Sequence, residues 1–275
     1  MNNHMILRGN AKATRINYIR GVRHLMITLD SLPEDCDIQR IKAFLVDLRD
    51  TQQFSSSTIN LRVCALKYYF REVVQRLDLV VAIPNPRIAK YQSEVLDGQE
   101  MLKLFSVCRD VRQLLILQLL FETGLRSREL LRLELKHFNK GQRTISVHNA
   151  KGRKMRVVPY GDHIRITLTQ YIKVLGYHPK GTLIESYKFK GQPLSISGLQ
   201  NIIREIAKRS GINKRIHCHV LRHTYAVHFL NAGGRIPQLQ QLLGHSNITT
   251  TLHYLKYAHQ VYVKSPTPLD ALMSN

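Results

Sequence analysis

Three things are scarce in this 275-residue chain: paired cysteines, acidic residues and uninterrupted apolar runs. The four cysteines, Cys36, Cys64, Cys108 and Cys218, are scattered and form no CxxC pair. That spacing excludes a disulfide framework and fits reduced thiols in a cytosolic protein. The strongest apolar run, residues 114–121, is interrupted by Gln118 and is too short to span a bilayer, so it reads as a buried helix. The opening MNNHMILRGN lacks the apolar stretch of a signal peptide. No internal repeat or low-complexity tract is visible. The shortage of acid is the most informative of these absences. Nineteen Asp and Glu face 41 Lys and Arg, which leaves a formal charge of +22. An excess of that size repels itself until an anionic partner neutralises it, and nucleic acid is the commonest such partner. A basic membrane-surface protein is disfavoured, because no long Lys-rich helix carries an aromatic face.

What is present suggests two domains. Apolar residues make up 44% of the chain, enough for a sizeable core. Residues 1–96 hold 14 basic and 9 acidic residues, whereas 97–275 hold 27 and 10, so the second part is expected to dominate the grip on a polyanion. Apolar residues near helical spacing predict helices over 13–27, 38–48 and 57–77, a small bundle filling 1–82. Ile83-Pro84-Asn85-Pro86 stops the last of them and opens a linker over 83–96. Asp97 and Glu100 have capping-box spacing and start the second domain, 97–275. Helices are expected over 109–122, from Ser127, and over 164–175, 197–210, 219–231, 237–243 and 247–257. Alternating residues at 144–147 and β-prone residues at 155–158 flank a turn and predict a hairpin. The fold class is therefore mainly α with a small β-sheet.

Five segments could carry chemistry. Thr123-Gly124-Leu125-Arg126-Ser127-Arg128-Glu129-Leu130 sets an arginine at a helix entry, where a guanidinium fork and helix N–H groups can hold a phosphate. Lys151-Gly152-Arg153-Lys154-Met155-Arg156 is a basic hairpin tip. His219 and Arg222 stand at i and i+3 and share a helix face. His245 follows Gly244 at a helix end, and Tyr254 lies nine residues later. Each has a blander explanation when taken alone: solvated surface arginines, a solvated turn, a histidine on a helix dipole, a half-packed tyrosine. A metal site at His219 and His223 is the competing chemistry. The HExxH pattern would need Glu at 220, where Val220 stands, and residues 211–260 contain no Asp or Glu at all.

Taken together and in this order, the segments closely resemble the signature of the tyrosine recombinases, the phage-integrase family. The TGLR-x-x-E-L box corresponds to residues 123–130 and the K-G-x-K-x-R turn to residues 151–156. The H-x-L-R-H box is residues 219–223, the L-G-H box is 243–245, and Thr250-Thr251-Leu252-His253-Tyr254 matches the T-T-x-x-Y context. The resemblance implies an N-terminal helical, SAM-like core-binding domain and an α-rich catalytic domain. It implies a site-specific recombinase that cleaves and rejoins DNA through a 3′-phosphotyrosine, with no cofactor and no metal. The implied catalytic residues are Arg126, Lys151, His219, Arg222, His245 and Tyr254, with Glu129 and His223 orienting the arginine pair. Neighbouring Arg and His⁺ charge is expected to favour the Tyr254 phenolate. Arg128, Arg153, Lys154 and Arg156 are expected to bind DNA. Implied partners are double-stranded DNA and three further copies in a homotetramer on two sites, with accessory DNA-bending proteins as optional partners and no membrane. The tail from Val261 is expected to dock on a neighbouring copy, and the location is the cytoplasm, at the nucleoid. Tyr257 and Tyr262 are nearby competitors for the nucleophile, because Leu255-Lys256 replaces the family's T-H after the tyrosine. The competing functions are a topoisomerase of the same chemistry, a metal-dependent nuclease and a non-catalytic DNA-binding relic.

Overall fold

A computed structural model describes residues 1–30, 32, 35–86, 94–148, 155–187, 189 and 191–258. The chain divides into two compact units, Met1–Tyr91 and Gln92–Asn275.

The first unit is helical. Its elements are α1 (Asn2–Leu7), α2 (Lys12–Leu29), α3 (Ile38–Asp50), α4 (Ser56–Tyr69) and α5 (Leu77–Ala82). Asp37 caps α3 by accepting from the Arg40 N–H at 2.8 Å, and Ser55 caps α4 by accepting from the Thr58 N–H. The stripe Ile41, Phe44, Leu45 and Leu48 buries against Val22 and Leu25 of α2 and Val63 and Leu66 of α4. Gly21 allows the close approach of α2 to α4: a Cβ there would lie 2.9 Å from the Ala65 Cβ. Two features depart from the sequence-based expectation. The helix expected over 57–77 leaves α geometry at Tyr69, widens into a π-turn over Phe70–Val74, and ends at Gln75 with φ of 62°. Helix α1 was not expected, because six residues are too few to show a period. It is held by tertiary contacts instead, with Met5 fully buried and His4 Nδ1 2.9 Å from the Tyr68 hydroxyl.

The second unit is built around α7 (Val111–Thr123), whose Leu115, Ile116, Leu117, Leu119 and Leu120 are all fully buried. Helix α6 (Gly98–Ser106) precedes it and carries the expected Asp97–Glu100 capping box. Next come the single-turn α8 (Ser127–Leu130) and an antiparallel sheet of β1 (Phe138–Asn139), β2 (Thr144–His148) and β3 (Met155–Pro159), in that spatial order. In the β2–β3 register Ile145 faces Val158 and Val147 faces Arg156. Then follow α9 (Asp162–Leu175), α10 (Ile196–Ser210), α11 (Cys218–Asn231), α12 (Ile236–Leu243) and α13 (Thr249–Leu252). The helix expected over 247–257 is only α13 followed by a 3₁₀ turn, His253–Lys256. Helix α11 is buried on nearly every side from Val220 to Val227, which makes it the wall on which the site is assembled. No helix among the described residues is long and apolar enough to cross a membrane.

Candidate active site

The site begins with the turn after α7. Gly124 ends that helix in the left-handed region, φ 62°, and a Cβ there would lie 2.4 Å from the Tyr225 ring. Only glycine fits both constraints. The turn aims the Gly124 carbonyl at Arg222, whose Nη1 donates to it at 2.5 Å. Arg222 lies one turn into α11, with 2% of its surface exposed. Its Nη2 donates to the Leu243 carbonyl at 2.7 Å and approaches His245 Nε2 at 3.1 Å. Burial, and then the Arg126 charge, lower its pKa to about 10, so it remains a cation at neutral pH.

Arg126 stands at the mouth of α8. Its backbone N–H donates to Glu129 Oε2 at 2.8 Å and its Nη1 donates to Oε1 at 3.1 Å. Its side chain is 41% exposed, so it can turn its remaining donors outward. Glu129 is itself buried, and Arg156 of β3 donates to both of its oxygens, at 2.8 and 2.7 Å. Burial pushes the Glu129 carboxyl up, but the Arg156 and Arg126 hydrogen bonds and charges outweigh it and hold the pKa at about 2.

Helix α12 ends at Gly244, again in the left-handed region with φ 62°. Two of its last carbonyls are taken by arginines, Leu242 by Arg156 Nε and Leu243 by Arg222, which satisfies acceptors that a helix end leaves unpaired. His245 follows. Its Nε2 faces a guanidinium that can only donate, so Nε2 accepts, and Nδ1–H donates to Thr251 Oγ1 at 2.9 Å. Burial and three arginine charges lower the His245 pKa to about 4. His219, exposed at the rim, is lowered by desolvation first and then by Arg222, His217 and Arg126.

Tyr254 lies in the 3₁₀ turn, 5% exposed, with its ring 6.2 Å from that of His245 and nearly parallel to it. Burial raises its pKa, against the pull of the Arg222 and Arg126 charges. A cleft of about 880 Å³ opens beside Arg126 and His245, lined also by Met155, Arg156, Val157 and Gln241.

The structure thus brings Arg126, His219, Arg222, His245 and Tyr254 within electrostatic reach of one another, with Arg126 and His245 on the wall of the cleft. Several expectations need correction. The Tyr254 pKa is raised, not lowered: burial exceeds the pull of the two arginines, and the lowered histidines supply no positive charge at neutral pH. His223 does not orient the arginines. It packs between Tyr254, 5.0 Å away, and Tyr257, 4.7 Å away, and burial lowers its pKa to about 4. Arg156 is not a free DNA-facing side chain: it is 11% exposed and bonded to Glu129 and Leu242. Arg128 is exposed on α8. Lys151, Arg153, Lys154, Tyr262 and the tail from Val261 lie outside the described residues. Thr251 was missed, although it sits in the T-T-x-x-Y segment; only the fold shows that its hydroxyl meets His245. Among the described residues no group of three or more His, Cys, Asp or Glu could hold a metal ion.

Comparison with known proteins gives this geometry a context. Residues 94–260 match the model of the phage integrase family, and residues 1–77 match a phage integrase N-terminal SAM-like domain. The chain is 31% identical to a tyrosine recombinase of Pseudothermotoga lettingae over 258 residues, covering 90% of this chain and 88% of that protein. It is 33% identical to tyrosine recombinase XerA of Pyrococcus horikoshii over 214 residues, covering 78% and 73%. Its fold is similar to that of a lambda integrase(75-356) dimer bound to a COC′ core site, with a TM-score of 0.75 at 23% identity over 92% of each chain. The segments that converge on the pocket and the match over both parts of the chain agree: this protein belongs to the phage integrase family, the tyrosine recombinases, and is a site-specific DNA recombinase.

Proposed function

We propose that Tyr254 is the nucleophile with which this recombinase breaks DNA. Its phenol oxygen attacks the scissile phosphorus, the bond from phosphorus to the 5′-oxygen breaks, and a 3′-phosphotyrosine forms. The phosphodiester bond energy is kept in that link, so the 5′-hydroxyl of a partner strand reverses the step without ATP or water. The observation that carries the assignment is the burial of Tyr254 with its ring 6.2 Å from and nearly parallel to that of His245, within reach of the Arg222 and Arg126 charges.

Arg222 is fixed by two carbonyls and serves as a preorganised donor to the equatorial phosphate oxygens. Arg126, more exposed, closes on the phosphate from outside. Fixed donors of this kind are each worth on the order of a hundredfold in rate. Lys151 protonates the leaving 5′-oxygen, and His219 and His245 handle the tyrosine proton and a phosphate oxygen. Residues 1–82 act as a core-binding domain, 83–96 as a linker and 97–275 as the catalytic domain, which together hold duplex DNA. The working assembly is a homotetramer on two sites, at the nucleoid in the cytoplasm, with accessory DNA-bending proteins as optional partners.

Covalent trapping on a nicked suicide duplex tests the proposal. The wild type is expected to form a protein–DNA adduct in the presence of EDTA, and peptide mapping is expected to find the modification on Tyr254. An adduct that persists in Tyr254→Phe, or that maps to Tyr257, would overturn the assignment.

A further inference from the structure

Arg156 has the basic, hairpin-borne position of a DNA contact, yet the strand turns it inward. Side chains alternate along β3, and Arg156 shares a face with Val158, which is fully buried. Its cross-strand neighbour Val147 is buried too, at 1% exposure. Met155 and Val157 take the open face, at 62% and 49% exposure. Three of the five guanidinium N–H directions are already used. Nη1 and Nη2 donate to the two oxygens of Glu129, and Nε donates to the Leu242 carbonyl at 2.7 Å. The side chain also crosses Gly244 so closely that a Cβ there would lie 3.1 Å from the Arg156 Cδ. The glycine before His245 thus serves both the left-handed turn and the passage of Arg156.

Two of the three elements joined by this one side chain frame the phosphate site proposed above: Arg126 opens α8, and the end of α12 holds Arg222, itself on α11, and leads into His245. Glu129 accepts from Arg126 and lies 3.9 Å from Arg222. Leu242 precedes Leu243, whose carbonyl fixes Arg222, and His245 follows two residues on. We propose that Arg156 is a positioning residue of strand cleavage: by gripping the Glu129 carboxylate and the Leu242 carbonyl together, it locks β3, the start of α8 and the end of α12 so that Arg126, Arg222 and His245 meet one phosphate. The inference rests on the function proposed above. A lysine in its place can make one of these contacts but not the fork. Arg156 also supplies the strongest stabilisation of the Glu129 charge, against the burial that opposes it.

The test compares the full-length wild type with Arg156→Met and Arg156→Lys. Single-turnover cleavage of a suicide duplex is expected to fall on the order of a hundredfold in Arg156→Met, as misplacement of reacting groups predicts. DNA affinity and its salt dependence are expected to stay within about threefold, because no phosphate contact is lost. Carboxyl NMR of the DNA-free protein supplies the readout that a merely structural strut would not move. Glu129 is expected to titrate higher in Arg156→Met, and cleavage by that variant is expected to gain an acid limb that Glu129→Gln abolishes. Wild-type cleavage in Arg156→Met overturns the inference. So does a tenfold loss of affinity with a shallower salt slope and unchanged cleavage of bound DNA, or an unmoved Glu129 titration. If Arg156→Met does not fold, Arg156→Lys carries the same three readouts. Failure of the wild type to trap DNA counts against the function proposed above and leaves the Glu129 titration to decide the role of Arg156.

Discussion

Glu129→Gln removes the one carboxylate among three guanidiniums and keeps the side-chain volume. In the wild type, Arg156 grips both Glu129 oxygens, Arg126 donates to the carboxylate twice, and Arg222 stands 3.9 Å away. The glutamine has one oxygen and one NH₂, so a donor faces a donor on one arm of Arg156. The electrostatic part of the loss follows from the displaced titration. The Glu129 pKa moves from 4.5 to about 2, and each pH unit is worth about 1.36 kcal/mol, so the ionised carboxylate contributes about 3 kcal/mol. For a protein of this size, that predicts a fall in Tm of about 6–12 °C at pH 7. The pH dependence has a definite direction. The folded pKa lies below the unfolded one, so the contribution is complete above about pH 4.5 and is lost as pH falls toward 2. By about pH 3 roughly half of the difference between the two proteins should be gone. Thermal melts of both proteins between pH 7 and pH 3 measure this directly. Coincident melts at pH 7, or a gap that does not narrow on acidification, would refute the reasoning.

Two further substitutions test the frame of the pocket. Gly124→Ala forces a Cβ into the Tyr225 ring at a positive φ and displaces the carbonyl that holds Arg222; a destabilisation of at least about 2 kcal/mol is expected, and an unchanged denaturant midpoint would show that the turn relaxes freely. Thr251→Val leaves the His245 Nδ1–H without its acceptor; cleavage is expected to fall about tenfold, with Thr251→Ser recovering most of it, and equal rates in wild type and Thr251→Val would show that the contact does not orient the ring.

Much of this fold can be read from local signals. The Asp97–Glu100 capping box, the glycines at 124 and 244, and the alternation over β2 and β3 each report a backbone requirement that a few neighbouring residues satisfy alone. The site residues on α8 and α11 and in the turn after α12 are legible as a set for the same reason, since each occupies a short segment with its own geometry. What the sequence hides depends on contacts between distant segments. Helix α1 exists because Met5 and His4 find partners on other helices. The π-turn at Phe70 inserts itself into a pattern that continues through it. Arg156 looks like a surface cation because its two acceptors lie 27 and 86 residues away in the chain. The alternation of β3 did carry a clue: Val158 on the buried face fixes Arg156 on that face too. The direction of the Tyr254 shift depends on burial, which a count of nearby charges does not reveal.

Four groups of the site are shifted toward the less charged form. Arg222, His219 and His245 are lowered by burial and then by neighbouring positive charge, chiefly that of arginines, while burial raises Tyr254. On the strand-transfer reading, this makes the chemistry conditional on DNA. Without a phosphate, His219 and His245 are poor proton acceptors, because burial opposes a charge there and protonation adds another cation beside Arg222 and Arg126. A phosphodiester brings a negative charge into the same space, and an anion within a few ångströms favours the imidazolium. The arriving substrate therefore raises the basicity of the groups that must receive the tyrosine proton. It also offers Arg126 and Arg222 a second anion besides Glu129. The buried, protonated Tyr254 of the free protein is then a nucleophile held in reserve, and the scissile phosphate itself supplies the charge that lets its proton leave.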